Sequence, residues 1–441
     1  MRVIVVLSRQ CLPHVAARNT HGAKTLASGD HSSILAHPWA PEREAWRTWF
    51  NATVNAHAFD ALTADRLREN GSLKWTAFPD KIGAWVAEMD FPIAPPIAAA
   101  LHDAVDRSMF GYLPQGLVTG MVEAYAAFAA DRFSWNVDPA RVRPVSDVLT
   151  ALEHAITHLS RPGSPIILPT PAYMPFLTRP GGLGRKVIQV PMLRDSRGRY
   201  TYDLDALDAA FRAGGDLLVL CNPHNPIGRV LEPDEMLAVA EVVDRHGGRV
   251  FSDEIHAPLV YPGHRHVPYA SLNETTAGHT LTATSASKAW NLPGLKCAQV
   301  VLTNDADVKV WNEVGKRLEE GASTPGVLAN RVAYTEGRDW LDDVVAYLHG
   351  NVTRLGELLD GTGIGYRAPE GTYLTWLDCR GLDLPDGSTS AAAFFRQHAG
   401  VALIDGGLCG ETAQGFVRLN AAMPRPLLEQ AVGRILESLD H

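Results

Sequence analysis

The sequence predicts an α/β protein, with a large domain of mostly parallel sheet flanked by helices and a smaller α+β domain. Three observations predict it. Between Arg141 and Leu302, short apolar runs alternate with helical stretches, and strands separated by helices form a parallel sheet covered on both faces. Beyond Thr303 helices dominate and a few strand-like pieces follow. The length, 441 residues, with 46% hydrophobic and 20% charged residues, suits two or three globular domains with ample core.

Residues 1–58 lack sustained periodicity apart from a possible short helix from Pro41 to Phe50, and read as a poorly structured N-terminal extension. Residues 59–100 read as the N-terminal part of the small domain, 101–304 as the large domain and 305–441 as the C-terminal part of the small domain. Pro92, Pro95 and Pro96 lead into a helix from Ile97 to Arg107, since proline is tolerated in a first helical turn. Phe110 to Pro114 is an exposed turn, and Gly120 to Phe133 is amphipathic. Arg141 to Leu152 reads as a strand, a tight turn and a helix that runs to Leu159. Strands follow at Pro165 to Leu168, Lys186 to Pro191, Asp216 to Cys221, Arg249 to Asp253, Thr280 to Ala283 and Ala298 to Leu302. Helices lie between them at Leu204 to Phe211 and Glu232 to Arg245. In the last part, helices cover Asp305 to Glu320, Gly326 to Glu336, Trp340 to Leu359 and Pro426 to Leu439. Strand-like pieces cover Gly371 to Cys379, Val401 to Ile404 and Phe416 to Asn420.

Composition excludes several classes of function. Net charge is −9 with no basic block, which argues against nucleic acid, because phosphate-backbone affinity rests on clustered Lys and Arg. The five cysteines are isolated and include no CxxC. Neither a disulfide framework nor a zinc site is indicated, and the thiols fit a reducing cytosol. No stretch reaches the roughly 20 apolar residues that span a bilayer.

In a parallel sheet the ligand lies off the carboxyl ends of the strands, so the polar residues there are the candidates. Thr280–Thr284 runs into Ser285, Ser287 and Lys288, with Lys296 eight positions on. Desolvation lowers a lysine pKa and frees its lone pair for Schiff-base chemistry, while the hydroxyls and second cation suit a phosphate. Strand 216–221 ends in Asn222-Pro-His-Asn-Pro-Ile-Gly228, a stiff loop that would hold Asn225 in one orientation. Strand 249–253 ends in Asp253, with His256 close behind. An aspartate there is costly unless paired. The helix amides near Val148 and Leu149 form a natural anion site. Each also has a plain structural reading: a loop lysine, a helix N-cap or salt bridge for Asp253, a satisfied core histidine, an ordinary Asp147 N-cap.

Together, Asn-Pro-x-Asn-Pro-x-Gly, Asp253, Ser-x-Ser-Lys and Lys296, at intervals of 28, 35 and 8 residues, resemble the fold-type I pyridoxal-phosphate enzymes of the class I/II aminotransferase superfamily. The resemblance runs from about Phe59 to the C-terminus. It implies a PLP-dependent transferase-like fold whose large domain binds pyridoxal 5'-phosphate. Lys288 then looks like the Schiff-base lysine and general base, and Asp253 like the partner of the ring nitrogen. Asn225 and His256 would contact the ring oxygen side, and Tyr173 would stack on the ring. Ser285, Ser287, Lys296 and the amides near Val148 and Leu149 would hold the phosphate. Tyr112 resembles the tyrosine that reaches the neighbouring subunit's phosphate, which implies a homodimer. Arg418 matches the arginine that clamps the substrate α-carboxylate.

Ser72-Leu-Lys-Trp75, Trp85-Val-Ala-Glu-Met-Asp-Phe91, Ser252-Asp-Glu-Ile-His256, His266 to Leu272 and Glu370 to Asp378 resemble the MalY/PatB-type cystathionine β-lyase subfamily. That implies a cytoplasmic carbon–sulfur lyase acting on a small amino-acid thioether, with no metal, nucleic acid or membrane involved. Two departures stand out: Asp147 where glycine is common, its charge expected to point away from the phosphate, and Glu88 where aspartate is usual. An aminotransferase built on the same scaffold, or a regulatory protein that keeps the fold, remain the alternatives.

Overall fold

In the computed structural model, residues 56–385 and 388–440 are described. The possible helix from Pro41 to Phe50, and nearly all of the extension, lie outside them.

Seven strands form the main sheet in the order Val142–Val145, Ala298–Leu302, Thr280–Thr284, Arg249–Asp253, Leu217–Cys221, Ile166–Thr170 and Val187–Pro191. The last five are mutually parallel. Ala298–Leu302 runs antiparallel to both of its neighbours. The sheet is therefore mostly parallel, as expected. Side-chain alternation explains why its strands are apolar throughout: Leu218 and Leu220 join the core on one face, and Leu217, Val219 and Cys221 the core on the other. A strand buried on both faces has no polar side to show. Helices Val148–His158, Met174–Gly182, Leu204–Arg212 and Pro233–Arg245 make the crossovers.

A second, antiparallel sheet holds Gly365–Tyr366, Leu374–Asp378, Phe416–Asn420 and Ile404–Asp405. The early segment Ile82–Gly83 pairs in parallel with Val401–Ala402. Residues 84–90 then continue along the C-terminal strands: Asn420 N–H donates to Ala84 O at 2.9 Å, and Asp90 N–H donates to Ala422 O at 3.0 Å. A buried ion pair locks this contact. Lys74 Nζ lies 2.9 Å from Asp90 Oδ2 and 3.0 Å from Ala422 O, and Trp75 Nε1 donates to Asp90 Oδ1 at 2.8 Å. Burying such a pair is tolerable because each remaining polar atom is bonded.

Several elements differ from expectation. Asp305 to Glu320 is not one helix: Asp305–Val310 and Lys316–Glu319 flank a π-helical stretch, Trp311–Gly315. A Cβ on Gly315 would lie 2.5 Å from the Trp311 ring, so the glycine lets the indole pack inward. The strand expected from Gly371 narrows to Leu374–Asp378. Thr372 sits at φ +62° and spends its amide on Leu259 O at 2.7 Å. Val401 to Ile404 splits, its two halves pairing in different sheets. Helix Met174–Gly182 escapes the sequence reading because Pro180 and two glycines hide its periodicity.

Candidate active site

Three neighbouring parallel strands build the site. Cys221 is in register with Asp253, and Asp253 with Ala283, so their carboxyl ends open at one level. The first strand feeds the loop that carries Asn225. The second ends on Asp253. The third is followed by Ser285, which caps the four-residue helix Ala286–Ala289 bearing Lys288. A cavity of about 180 Å³ lies there. Ten of the twelve residues singled out from the sequence line it: Lys288, Asp253, Asn225, His256, Tyr173, Ser285, Ser287, Lys296, Val148 and Leu149.

Electrostatics follow from burial. Desolvation, then the Arg418 charge, lowers the Lys288 ammonium to about 8, so its free amine is far more accessible near neutrality than that of an exposed lysine. Its Nζ donates to the carbonyl of Ala87 at 2.9 Å. Desolvation raises the Asp253 carboxyl to about 7. Among the described residues it meets only the Ile255 amide, at 3.1 Å, and the Cys221 thiol, at 3.9 Å. His256, lowered to about 3 mainly by desolvation, is neutral and bonds through Nδ1 to the Thr372 hydroxyl at 3.0 Å.

Arg418 is buried and does not line the cavity wall, yet it shapes it. Its Nη1 donates to Asn225 Oδ1 and its Nη2 to Trp85 O, each at 3.0 Å. Because guanidinium only donates, the amide oxygen of Asn225 faces Arg418 and the NH₂ end is left for the cavity. Arg418 Nε is buried without an acceptor, and no carboxylate pairs with this cation among the described residues. An unpaired buried guanidinium is costly unless an anion arrives.

The anion end of the cavity is more crowded than expected. Asp147 does not point away: it accepts from the Thr150 amide at 2.9 Å and meets Lys296 Nζ at 3.2 Å. It therefore competes for the donors that a phosphate would use. The Ser285 hydroxyl donates to Cys297 O at 2.7 Å and accepts from the Ser287 amide at 2.9 Å, so a phosphate must compete for it too. The amides of Val148 and Leu149, first in their helix, have no intrahelical acceptor and are the donors best placed for an anion.

Tyr112 stands apart, fully exposed and away from the cavity. Sequence reasoning missed the Ala87 carbonyl and Tyr373, whose hydroxyl donates to the same oxygen at 3.1 Å. The signal lay in the quoted stretches Trp85–Phe91 and Glu370–Asp378, which carried the resemblance without a role. Among the described residues, no His/Cys/Asp/Glu group is arranged to hold a metal, and no helix is long and apolar enough to cross a membrane.

A lysine, an aspartate and an asparagine at the carboxyl edge of this sheet order, with a helix N-terminus opposite, define the pyridoxal-phosphate-dependent transferase-like fold. The residues fit that cofactor: Asp253 lacks a cation that a protonated ring nitrogen would supply, and the lysine amine is partly free. A sequence model of the family described as aminotransferase class I and II matches residues 80–435. Cystathionine β-lyase of Corynebacterium glutamicum is 38% identical over 85% of this chain and 98% of its own length. Cystathionine β-lyase PatB of Bacillus subtilis is 30% identical over 83% and 96%. The crystal structure of cystalysin from Treponema denticola, which contains pyridoxal 5'-phosphate, superposes with a TM-score of 0.80 at 26% identity, covering 87% of this chain and 99% of that one. The chain belongs to the aminotransferase class I and II family.

Proposed function

We propose that the protein is a pyridoxal-phosphate-dependent carbon–sulfur β-lyase. With one water consumed, it cleaves cystathionine or another cysteine S-conjugate to a thiol, pyruvate and ammonia. The Lys288 amine and the buried Arg418, with no carboxylate paired to it among the described residues, suit an amino-acid substrate, and the observation that carries the choice of β-elimination is the likeness over most of the chain to cystathionine β-lyases.

When bound, the cofactor supplies an aldehyde for the substrate amine and a ring that withdraws charge from Cα, so that a thiolate on Cβ can leave. Lys288 would hold the aldehyde, and its free Nζ would accept the Cα proton. Asp253 would keep the ring nitrogen protonated. Asn225 would donate to the ring oxygen through the NH₂ that Arg418 orients. Tyr173 would cover a ring face. Arg418 takes the α-carboxylate, which presents the Cα–H bond to Lys288.

The proposal includes a homodimer. Tyr112, with Phe110 and Val105, is an exposed apolar element of this chain, and a second copy would bring its own Tyr112 to the phosphate end. The isolated, buried thiols of the described residues fit a cytoplasmic protein.

The test is to incubate the purified, cofactor-loaded protein with cystathionine and no keto acid. Pyruvate and thiol should appear in equal amounts, and Lys288→Ala should abolish both. Turnover only when a keto acid is added would replace the lyase by an aminotransferase.

A further inference from the structure

Residues 370–373 do not line the cavity, yet they touch the site at three places. The Thr372 hydroxyl meets His256 Nδ1 at 3.0 Å. The Tyr373 hydroxyl donates to Ala87 O at 3.1 Å. Glu370, with the Gly371 amide, holds the loop that carries Asn225. The Glu370 and Gly371 amides donate to Gly228 O at 2.8 and 3.1 Å. Glu370 Oε2 accepts from Arg229 Nη1 at 2.7 Å and from the Val230 amide at 3.0 Å. Three consecutive loop residues are therefore tied to one place.

The loop is folded so that this grip reaches Asn225. His224 N–H donates to Arg229 O and Gly228 N–H to His224 O, each at 2.7 Å. Asn225 lies inside that closure, with Pro223 and Pro226 on either side to stiffen the backbone. Its amide oxygen is set by Arg418, and its backbone by the 228–230 side. Glu370 and Arg229 are both buried, at 5% and 2% exposure, and a buried charge-assisted bond is short and directional. The other charges facing Glu370 are Arg367 at 3.6 Å and Arg199 at 3.9 Å, with Glu235 beyond Arg229. Thr372 takes a left-handed backbone, φ +62°, a conformation that a non-glycine residue keeps only where its surroundings impose it.

We propose that Glu370 is a positioning residue for Asn225: through Gly228, Arg229 and Val230 it fixes where the Asn225 NH₂ points, and so the hydrogen bond that the ring oxygen of the cofactor would receive. Residues 370–373 are then the brace by which the antiparallel sheet, entered at Leu374, sets the ring-oxygen side of the site. Glu370 acts on Asn225 and Thr372 on His256. This rests on the proposed function, in which Asn225 and His256 serve that side.

The experiment titrates the absorbance of the cofactor in the loaded, full-length protein. A donor at the ring oxygen favours its anion and lowers the pH at which the absorbance changes. Glu370→Ala should raise that pH by about one unit. Arg229 still has Glu235 and Tyr200 O in that variant, so no guanidinium is stranded. Glu370→Gln, whose amide oxygen can accept from the Val230 amide, should raise it by less. Asn225→Ala should raise it too, and adding Glu370→Ala to Asn225→Ala should raise it no further. A titration unmoved in Glu370→Ala and Glu370→Gln overturns the proposal. The glutamine variant keeps the side-chain volume and decides the matter alone if the alanine variant does not fold. A shift that adds in full to that of Asn225→Ala also overturns it, because Glu370 then acts by another route. Failure of the proposed function reads differently. Absence of pyruvate from cystathionine sinks the lyase and leaves the titration standing. A titration unmoved in Asn225→Ala removes Asn225 from the ring oxygen, and this proposal with it.

Discussion

Asp253→Asn should stabilise the cofactor-free protein and remove most of what the cofactor adds. The side chain is buried, and desolvation raises its carboxyl from 3.8 to about 7. At about 1.4 kcal/mol per pH unit, holding it ionised in the empty site costs about 4 kcal/mol. The sign follows from linkage. A carboxyl raised on folding favours the folded state fully below pH 3.8, and that advantage is lost as pH rises through 7. Asparagine keeps the shape and the contact with the Ile255 amide but carries no charge. The variant without cofactor should therefore be more stable than the parent at pH 8, and the gap should narrow steadily toward pH 4. Added pyridoxal phosphate should raise the parent's stability by supplying a cation to Asp253, and should raise the variant's far less. Urea unfolding at pH 5 and pH 8, with and without cofactor, measures all four states. A variant less stable than the parent at pH 8 without cofactor would refute the reasoning. An equal gain from cofactor in both proteins would also refute it.

Arg418→Lys keeps the charge but loses the planar fork and its bonds to Asn225 and Trp85. It should lower kcat/KM for cystathionine by roughly 30-fold, equivalent to about 2 kcal/mol, and affect an amine thioether without the carboxylate much less. Lys74→Met strands the buried Asp90 carboxylate and should cost about 3–5 kcal/mol in urea unfolding, with part regained in the double variant carrying Asp90→Asn. Gly228 has φ +69°, and a Cβ there would lie 2.3 Å from Pro369 Cβ. Gly228→Ala should cost about 1–3 kcal/mol and disturb the Asn225 loop, seen as weaker cofactor affinity in a fluorescence titration.

The strands of the large sheet were legible because each is a short apolar run closed by a polar residue. The same feature marked Asp253 and Lys288 as candidates, and their plain structural readings lost ground only when the motifs were read together. Less was legible where the deciding contact is remote. Ala298–Leu302 reads like its neighbours, and only the tertiary structure shows that it runs antiparallel to both of them. Thr372 interrupts an expected strand because Leu259, more than a hundred residues away in the chain, claims its amide. Asp147 was placed correctly in its turn, but its link to Lys296 spans 149 residues, and nothing local announces it.

By itself, the sequence determined the order and type of the chemical groups: an amine, a carboxylate, an amide and a guanidinium, each at the edge of a recognisable element. Local periodicity and side-chain chemistry suffice for that. Only the tertiary structure decided what each group faces. It put the Ala87 carbonyl on Lys288 across 201 residues, and the Asn225 oxygen on Arg418 across 193. Proton affinity and orientation depend on burial and on charges a few ångströms away, and those neighbours are set by how distant segments pack.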